Sequence, residues 1–301
     1  MSNEKLNWFR PRIRSRHPSH DVLRNKDMVL LPCKSVIRLG STTEIDDIIS
    51  KGGNRIEINS VDSIKNSANK YKMKECFTKN KVKTADWFIF DSSKELFYQL
   101  INDKDAGYSK QAFSIEDLPF PIISKKFYGS RNNGNQKHDS LKELQEWMKE
   151  KNLSHYIFER YYNYTREYRL HVTKNGCFYA CRKVLKSDTP DEHKWYRNDS
   201  HCNWITEHSE NQELFDKPVN WNTLVKECIN ALEAVKLDIG ACDVRIQSAT
   251  NKDGEKRDNP KFIIVEINSA PSFGKITEQK YKEELPKLIM NKYHSYKDER
   301  N

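Results

Sequence analysis

No run of about 18 apolar residues occurs in the 301-residue chain, which excludes a membrane-spanning helix. The N-terminal stretch Met1-Ser2-Asn3-Glu4-Lys5-Leu6 lacks the apolar core of a secretory signal. None of the seven cysteines forms a CxxC pair. Cys181, His201 and Cys202 do not have zinc-ligand spacing, so free thiols in a reducing cytoplasm are expected. The phosphate-binding string GxxxxGK(S/T) is absent. So are a nucleophile elbow and a Ser-His-Asp spacing, which leaves no support for a covalent hydrolase. The net charge is +9, from 52 basic and 43 acidic residues, densest from Arg10 to His17. No RNP, zinc-finger or helix-turn-helix signature accompanies that charge, so nucleic acid is not an expected partner. An acidic substrate or simple solubility accounts for it equally well.

What is present is a polar chain, 36% hydrophobic and 32% charged, long enough for one large domain or two to three lobes. Short strands are expected at 28–32 and 36–40, and another at 55–59. A helical segment follows from about Val61 to Asn80, with Ile64, Ala68, Tyr71 and Phe77 as a broken apolar stripe. Trp87–Phe90 reads as a buried strand and Lys94–Ile101 as a short helix. A strand over Phe120–Lys126 runs into a loop of small polar residues from Gly129 to Asn135. An amphipathic helix covers Leu141–Met148. Strands at 156–162, 167–172 and 177–181 follow, the last two joined by an Asn175-Gly176 turn. Residues 186–220 have no clear period, as in a long loop. A helix at 224–235, strands at 239–246 and 263–269, and a charged helical tail from Glu278 complete the chain.

The most telling stretch is Ile263-Ile264-Val265-Glu266-Ile267-Asn268-Ser269-Ala270-Pro271. Side chains alternate on a strand, so Glu266 and Asn268 leave from one face. Two oxygen donors at that spacing suit Mg²⁺, and Asp243 on the preceding strand is a third candidate. Lys125, at a strand exit before a flexible loop, can reach a nucleotide phosphate. Its bland reading is a solvated lysine at a turn. Glu159, Glu167 and Arg169 are compatible with a ribose-binding acid on the wall of an aromatic cleft, or with a structural ion pair on the polar face of an antiparallel sheet. Arg182-Lys183 could add a phosphate contact. His171 reads as a hydrogen-bonded strand residue rather than a base. Trp195 to Trp204 is either a cover over a substrate pocket or a folded excursion.

Taken together, Asn69-Lys70, Lys125 with its small-residue loop, Glu159, Glu167-x-Arg169, Arg182-Lys183, Asp243 and Glu266-x-Asn268-Ser269-x-Pro271 resemble the ATP-grasp superfamily of carboxylate–amine ligases. The branch most similar holds the ribosomal-protein glutamate ligases and phage-encoded relatives. The resemblance runs from about residue 36 to 281 and implies ATP and Mg²⁺ as cofactors. It implies that Lys70, Lys125 and Ser130 meet ATP phosphates. The strand carrying Glu159, Arg160 and Tyr161 would give main-chain hydrogen bonds to adenine, and Glu167 would bind ribose. Arg169, Arg182 or Lys183, and Arg245 would face the reacting phosphoryl group. Asp243, Glu266 and Asn268 would hold the metal. The loop Ser130-Arg131-Asn132-Asn133-Gly134 has fewer glycines than the family's pattern.

The expectation is therefore an α+β ATP-grasp fold with an N-terminal α/β lobe at 1–68, a central lobe at 69–155 and a C-terminal lobe at 156–301. The expected reaction joins a small carboxylate to an amine, or modifies a peptide or protein tail, in the cytoplasm (of a host cell if phage-encoded). A non-catalytic nucleotide or nucleic-acid binder on the same fold is the remaining alternative.

Overall fold

The computed structural model describes residues 34–102, 108–129, 133–198 and 200–298. The strand expected at 28–32, the basic segment Arg10 to His17 and Ser130 lie outside the described residues. Two strands open the fold, β1 (Lys34–Ile37) and β2 (Arg55–Ile58), paired in parallel. Their Ile37, Ile56 and Ile58 are fully buried.

Helices α1 (Val61–Ala68) and α2 (Lys70–Lys79) replace the single expected helix. The break is at Asn69, whose backbone is extended (φ −100°, ψ 114°) and whose side chain accepts from the Lys72 N–H at 3.1 Å. Asn is a good N-cap, so the chain restarts a helix there rather than continuing one. The Lys70 N–H goes instead to the carbonyl of Phe127, 2.8 Å away.

A six-stranded antiparallel sheet follows, from β3 (Trp87–Asp91), β4 (Leu96–Ile101), β5 (Ser109–Phe113), β6 (Ile122–Lys126), β7 (Gln136–His138) and β8 (Tyr156–Arg160). Its order is β5-β4-β3-β8-β6-β7. The helix expected over 94–101 is strand β4 instead. Leu96, Phe97, Leu100 and Ile101 have helix-like spacing, but short apolar runs are ambiguous. Pairing with β3 and β5 decides the matter, and Phe97 packs edge-on against Phe158 at 5.0 Å. Helix α3 (Leu141–Met148) buries Leu144 against this sheet.

The second antiparallel sheet holds β9 (Arg166–Thr173), β10 (Gly176–Leu185), β11 (Cys202–Ile205), β12 (Ile239–Ile246) and β13 (Phe262–Asn268), in the order β11-β10-β9-β12-β13. Strand β11 lies within the stretch expected to be loop. Helix α4 (Trp221–Ala234), with Leu224, Cys228, Ala231 and Leu232, forms one core with this sheet, and Ile64, Met73 and Phe77 of α1 and α2 join it. The C-terminal α5 (Lys275–Asp298) buries Tyr281, Leu285, Leu288 and Ile289 in one cluster with β1 and β2.

The first strands are stapled to the second sheet by Asn59, fully buried in the left-handed region at φ 59°. Asn tolerates that region better than most residues. Its side chain donates to the carbonyls of Arg38 and Ile239 and accepts from the N–H groups of Asp238 and Ile239. No described helix is long and apolar enough to cross a membrane.

Candidate active site

Three neighbouring strands create the charged floor of the site. Glu167 on β9 lies opposite Lys183 of β10 and Arg245 of β12, while Asp243 of β12 lies opposite Arg169. Alternation puts residues two apart on one face, so these five side chains share a face and form a row of alternating charge. Lys183 Nζ donates to Glu167 at 2.8 Å and to Asp243 at 2.9 Å. Arg245 Nε reaches Glu167 at 2.8 Å, and Arg169 grips Asp243 with two bonds of 2.7 and 2.9 Å. Burial works to raise both carboxyls, but the facing cations hold Glu167 and Asp243 below their ordinary values.

The six-stranded sheet contributes a second cluster. Lys125 on β6 lies 2.8 Å from Glu159 on β8, and Lys74 on α2 lies 3.4 Å from the same oxygen. Burial again opposes ionisation of Glu159, and the two lysines outweigh it. Lys74, fully buried, is pulled by desolvation down to about 8 against the attraction of Glu159. It was not singled out from the sequence. The available signal was its position four residues after Lys70, which puts both on one helix face.

Between the sheets are two adjoining cavities. The smaller, about 120 Å³, is lined by residues of both clusters, including Lys125, Glu159, Tyr161, Glu167, Lys183 and Arg245. The larger, about 620 Å³, is lined by Arg169, Trp204, Asn268 and the Ser269–Ser272 turn, with Leu39 and Gly40 from the end of β1. Lys70, Gly129, Lys183, Arg197, Asp243 and Glu266 line both and so mark the seam. Gly40 is required there: its φ is +74°, and a Cβ would meet the Ala270 methyl at 2.9 Å.

Glu266 sits opposite Asp243 on β13, and Asn268 Nδ2 donates to Glu266 Oε1 at 3.1 Å, as expected for side chains on one face. Lys70 Nζ is 3.7 Å from Glu266 and donates to the Gly129 carbonyl. Glu266 and Asn268 offer hard oxygen donors that fit Mg²⁺. Asp243 fits only if it releases one of its cationic partners. No cluster of three metal-ligating His, Cys, Asp or Glu side chains exists among the described residues.

Two expected site residues do not join the rest. Arg182 leaves the opposite face of β10 from Lys183 and pairs with Asp216 at 3.2 Å. Arg160 points away to Asp86 at 3.6 Å and stacks over Tyr162. The expected main-chain contacts to adenine are also narrowed. Strand β8 lies between β3 and β6, and the Arg160 and Tyr161 N–H groups donate to the carbonyls of Asp86 and Pro121. His171 is buried and bonded to the Tyr281 hydroxyl at 3.1 Å; desolvation lowers it to about 3, so it is neutral. The segment from Trp195 to Trp204 does flank both cavities. Trp204 lies under Arg169 and Lys183, at 5.0 and 5.4 Å from its ring centre.

No family model matches the sequence, and no curated protein matches it. Solved structures do. The D-alanine–D-alanine ligase from Bacillus anthracis complexed with ATP superposes with a TM-score of 0.52 at 13% identity, covering 89% of this chain and 81% of that one. The D-alanine–D-alanine ligase from Coxiella burnetii gives 0.52 at 13% identity, over 88% and 70%. The ATP-grasp ligase PsnB complexed with minimal precursor gives 0.47 at 15% identity, over 80% and 66%. The mixed architecture, two antiparallel sheets facing a charged cleft behind a small N-terminal unit, is the α+β ATP-grasp fold.

Proposed function

We propose that this chain is an ATP-dependent carboxylate–amine ligase acting through an acyl phosphate. The observation that supports this most is the meeting of two cation–carboxylate clusters, one from each sheet, across one small cavity. Phosphoryl transfer needs positioning and cationic stabilisation rather than a protein nucleophile. Lys125, Lys183 and Arg245 supply that positive field in a site sheltered from water.

In the first step an oxygen of the substrate carboxylate forms a bond to the γ-phosphorus of ATP. The bond from that phosphorus to the β–γ bridging oxygen breaks, and its electron pair leaves with ADP. In the second step the amine nitrogen bonds to the acyl carbon, the C–O bond to phosphate breaks, and the amine proton ends on the released phosphate. Lys70 and Lys125 neutralise phosphate oxygens, and Glu167 accepts from ribose hydroxyls. Both lysines and Glu167 are ion-paired or hydrogen-bonded within the protein, so nucleotide has to displace some of those contacts. A small cavity of about 120 Å³ is tighter than an ordinary ligand site, which agrees with that requirement. Mg²⁺ held by Glu266 and Asn268, with Asp243, would neutralise charge on the phosphates.

The substrates are a carboxylate and an amine of small-molecule size. An additional likeness to ribosomal-protein glutamate ligases would extend this to a peptide tail. Hydroxylamine trapping with ATP, Mg²⁺ and a pooled set of carboxylates tests the proposal. A hydroxamate formed in step with ADP is the expected result. ATP that fails to bind at all would overturn it.

A further inference from the structure

Two lysines share one carboxylate oxygen. Lys125 Nζ lies 2.8 Å from Glu159 Oε2, and Lys74 Nζ lies 3.4 Å from the same atom. They are placed differently with respect to the site. Lys125 lines the smaller cavity together with Glu159, whereas Lys74 lines neither cavity and is fully buried. An ammonium that faces no cavity cannot meet a ligand, and it stays buried only by being paired.

Lys74 is also anchored from a second side. Its Nζ donates to the Thr84 hydroxyl, and that hydroxyl donates to the Ile264 carbonyl at 2.8 Å. Ile264 stands two residues before Glu266 on β13. Lys74 thus ties the carboxylate of the six-stranded sheet to the strand that carries Glu266 and Asn268. Desolvation brings it down only to about 8, so it is an ammonium at neutral pH.

Lys125 cannot serve Glu159 and a phosphate equally. A phosphate that recruits it draws the ammonium off a carboxylate that is only 3% exposed, and a buried carboxylate left without a cation is strongly destabilising. A second cation on the same oxygen removes that penalty.

We propose that Lys74 is a positioning residue for nucleotide binding: it keeps Glu159 neutralised while Lys125 turns from that carboxylate to an ATP phosphate. This rests on the ATP site of the ligase reading above and adds the group that frees its phosphate-binding lysine. Lys74 acts through Glu159 and Lys125 and touches neither nucleotide nor acceptor.

The test compares calorimetric affinities for ATP and for adenosine, which has the base and ribose but no phosphate for Lys125 to meet. The quantity read is the ratio of the two. Lys74→Met should lower that ratio roughly tenfold to a hundredfold, the size of one charged hydrogen bond, because Glu159 then holds Lys125 back. Adding Glu159→Gln removes the competing charge, so K74M/E159Q should return to within about threefold of the wild-type ratio. Glu159→Gln alone, with Lys74 in place, should hold or raise the ratio, and this arm does not depend on K74M folding. A purely structural role for Lys74 would weaken ATP and adenosine alike and leave the ratio unchanged, which would overturn the assignment. So would a lowered ratio that K74M/E159Q fails to restore, or a drop of roughly tenfold in E159Q alone. Wild type that binds ATP no better than adenosine would instead count against the ligase reading.

Discussion

Lys183 stands between Glu167 and Asp243, its Nζ 2.8 Å from one carboxylate and 2.9 Å from the other. Arg245 and Arg169 close the two outer sides, so each carboxylate is held between one arginine and the middle lysine. Lys183→Met leaves two buried carboxylates short of a partner. It should cost about 3–5 kcal/mol of stability, the range for breaking a buried pair from one side. Urea denaturation of the variant measures this; a change under about 1 kcal/mol would show the row to be solvated.

Lys125 and Arg182 make a matched test of which cations face the nucleotide. Lys125 lines the smaller cavity, whereas Arg182 lines neither and pairs with Asp216. Lys125→Gln should weaken ATP binding roughly tenfold or more in calorimetry, through one lost charged hydrogen bond. Arg182→Gln should leave ATP affinity within about twofold, since a contact outside the site carries no binding term.

Acid should destabilise the protein through three buried carboxylates. Glu159, Glu167 and Asp243 all lie below their ordinary values, because facing cations outweigh the opposing effect of burial. A carboxyl depressed on folding binds fewer protons in the folded state. Its stabilisation is therefore present above the unfolded value and lost as pH falls towards the folded one. The loss should begin near 4.5 for the glutamates and 3.8 for Asp243. Denaturation midpoints measured from neutral to acid pH should fall in that region, and Glu159→Gln should flatten the slope. A wild-type midpoint insensitive to pH there would contradict the ion-pair assignment.

Asn59 couples the first two strands to β12 without touching either cavity. Asn59→Ala removes four side-chain hydrogen bonds, leaves buried N–H and carbonyl groups at Arg38, Asp238 and Ile239 unmet, and puts Ala in the left-handed region. A loss of about 3 kcal/mol or more is expected from those terms together. Thermal denaturation checks it, with ATP affinity of the folded variant unchanged.

Most strands and three of the helices were legible because their apolar residues repeat at the period of the element they form. Glu266 and Asn268 could be placed on one face for the same reason: alternation is a local rule. Lys94–Ile101 was misread because a short apolar run satisfies both periods, and only its neighbours β3 and β5 choose between them. The break at Asn69 was not legible within the single expected helix, since the Lys70 N–H leaves the first helix for the carbonyl of Phe127, far along the chain.

By itself the sequence determined most of the elements, the faces of the strands, and a spacing of lysines, acids and Glu266-x-Asn268 that resembles the ATP-grasp pattern. Those follow from spacing along a chain and from the chemistry of each side chain. Only the tertiary structure decided which charges meet. Sheet register set Lys183 between Glu167 and Asp243, and strand alternation turned Arg182 away. The packing of α2 brought Lys74 under Glu159, and the chain path past Trp195 brought Arg197 to the seam of the two cavities. Coulombic partners depend on distance in space, and no spacing in sequence encodes that distance when the partners lie on different strands.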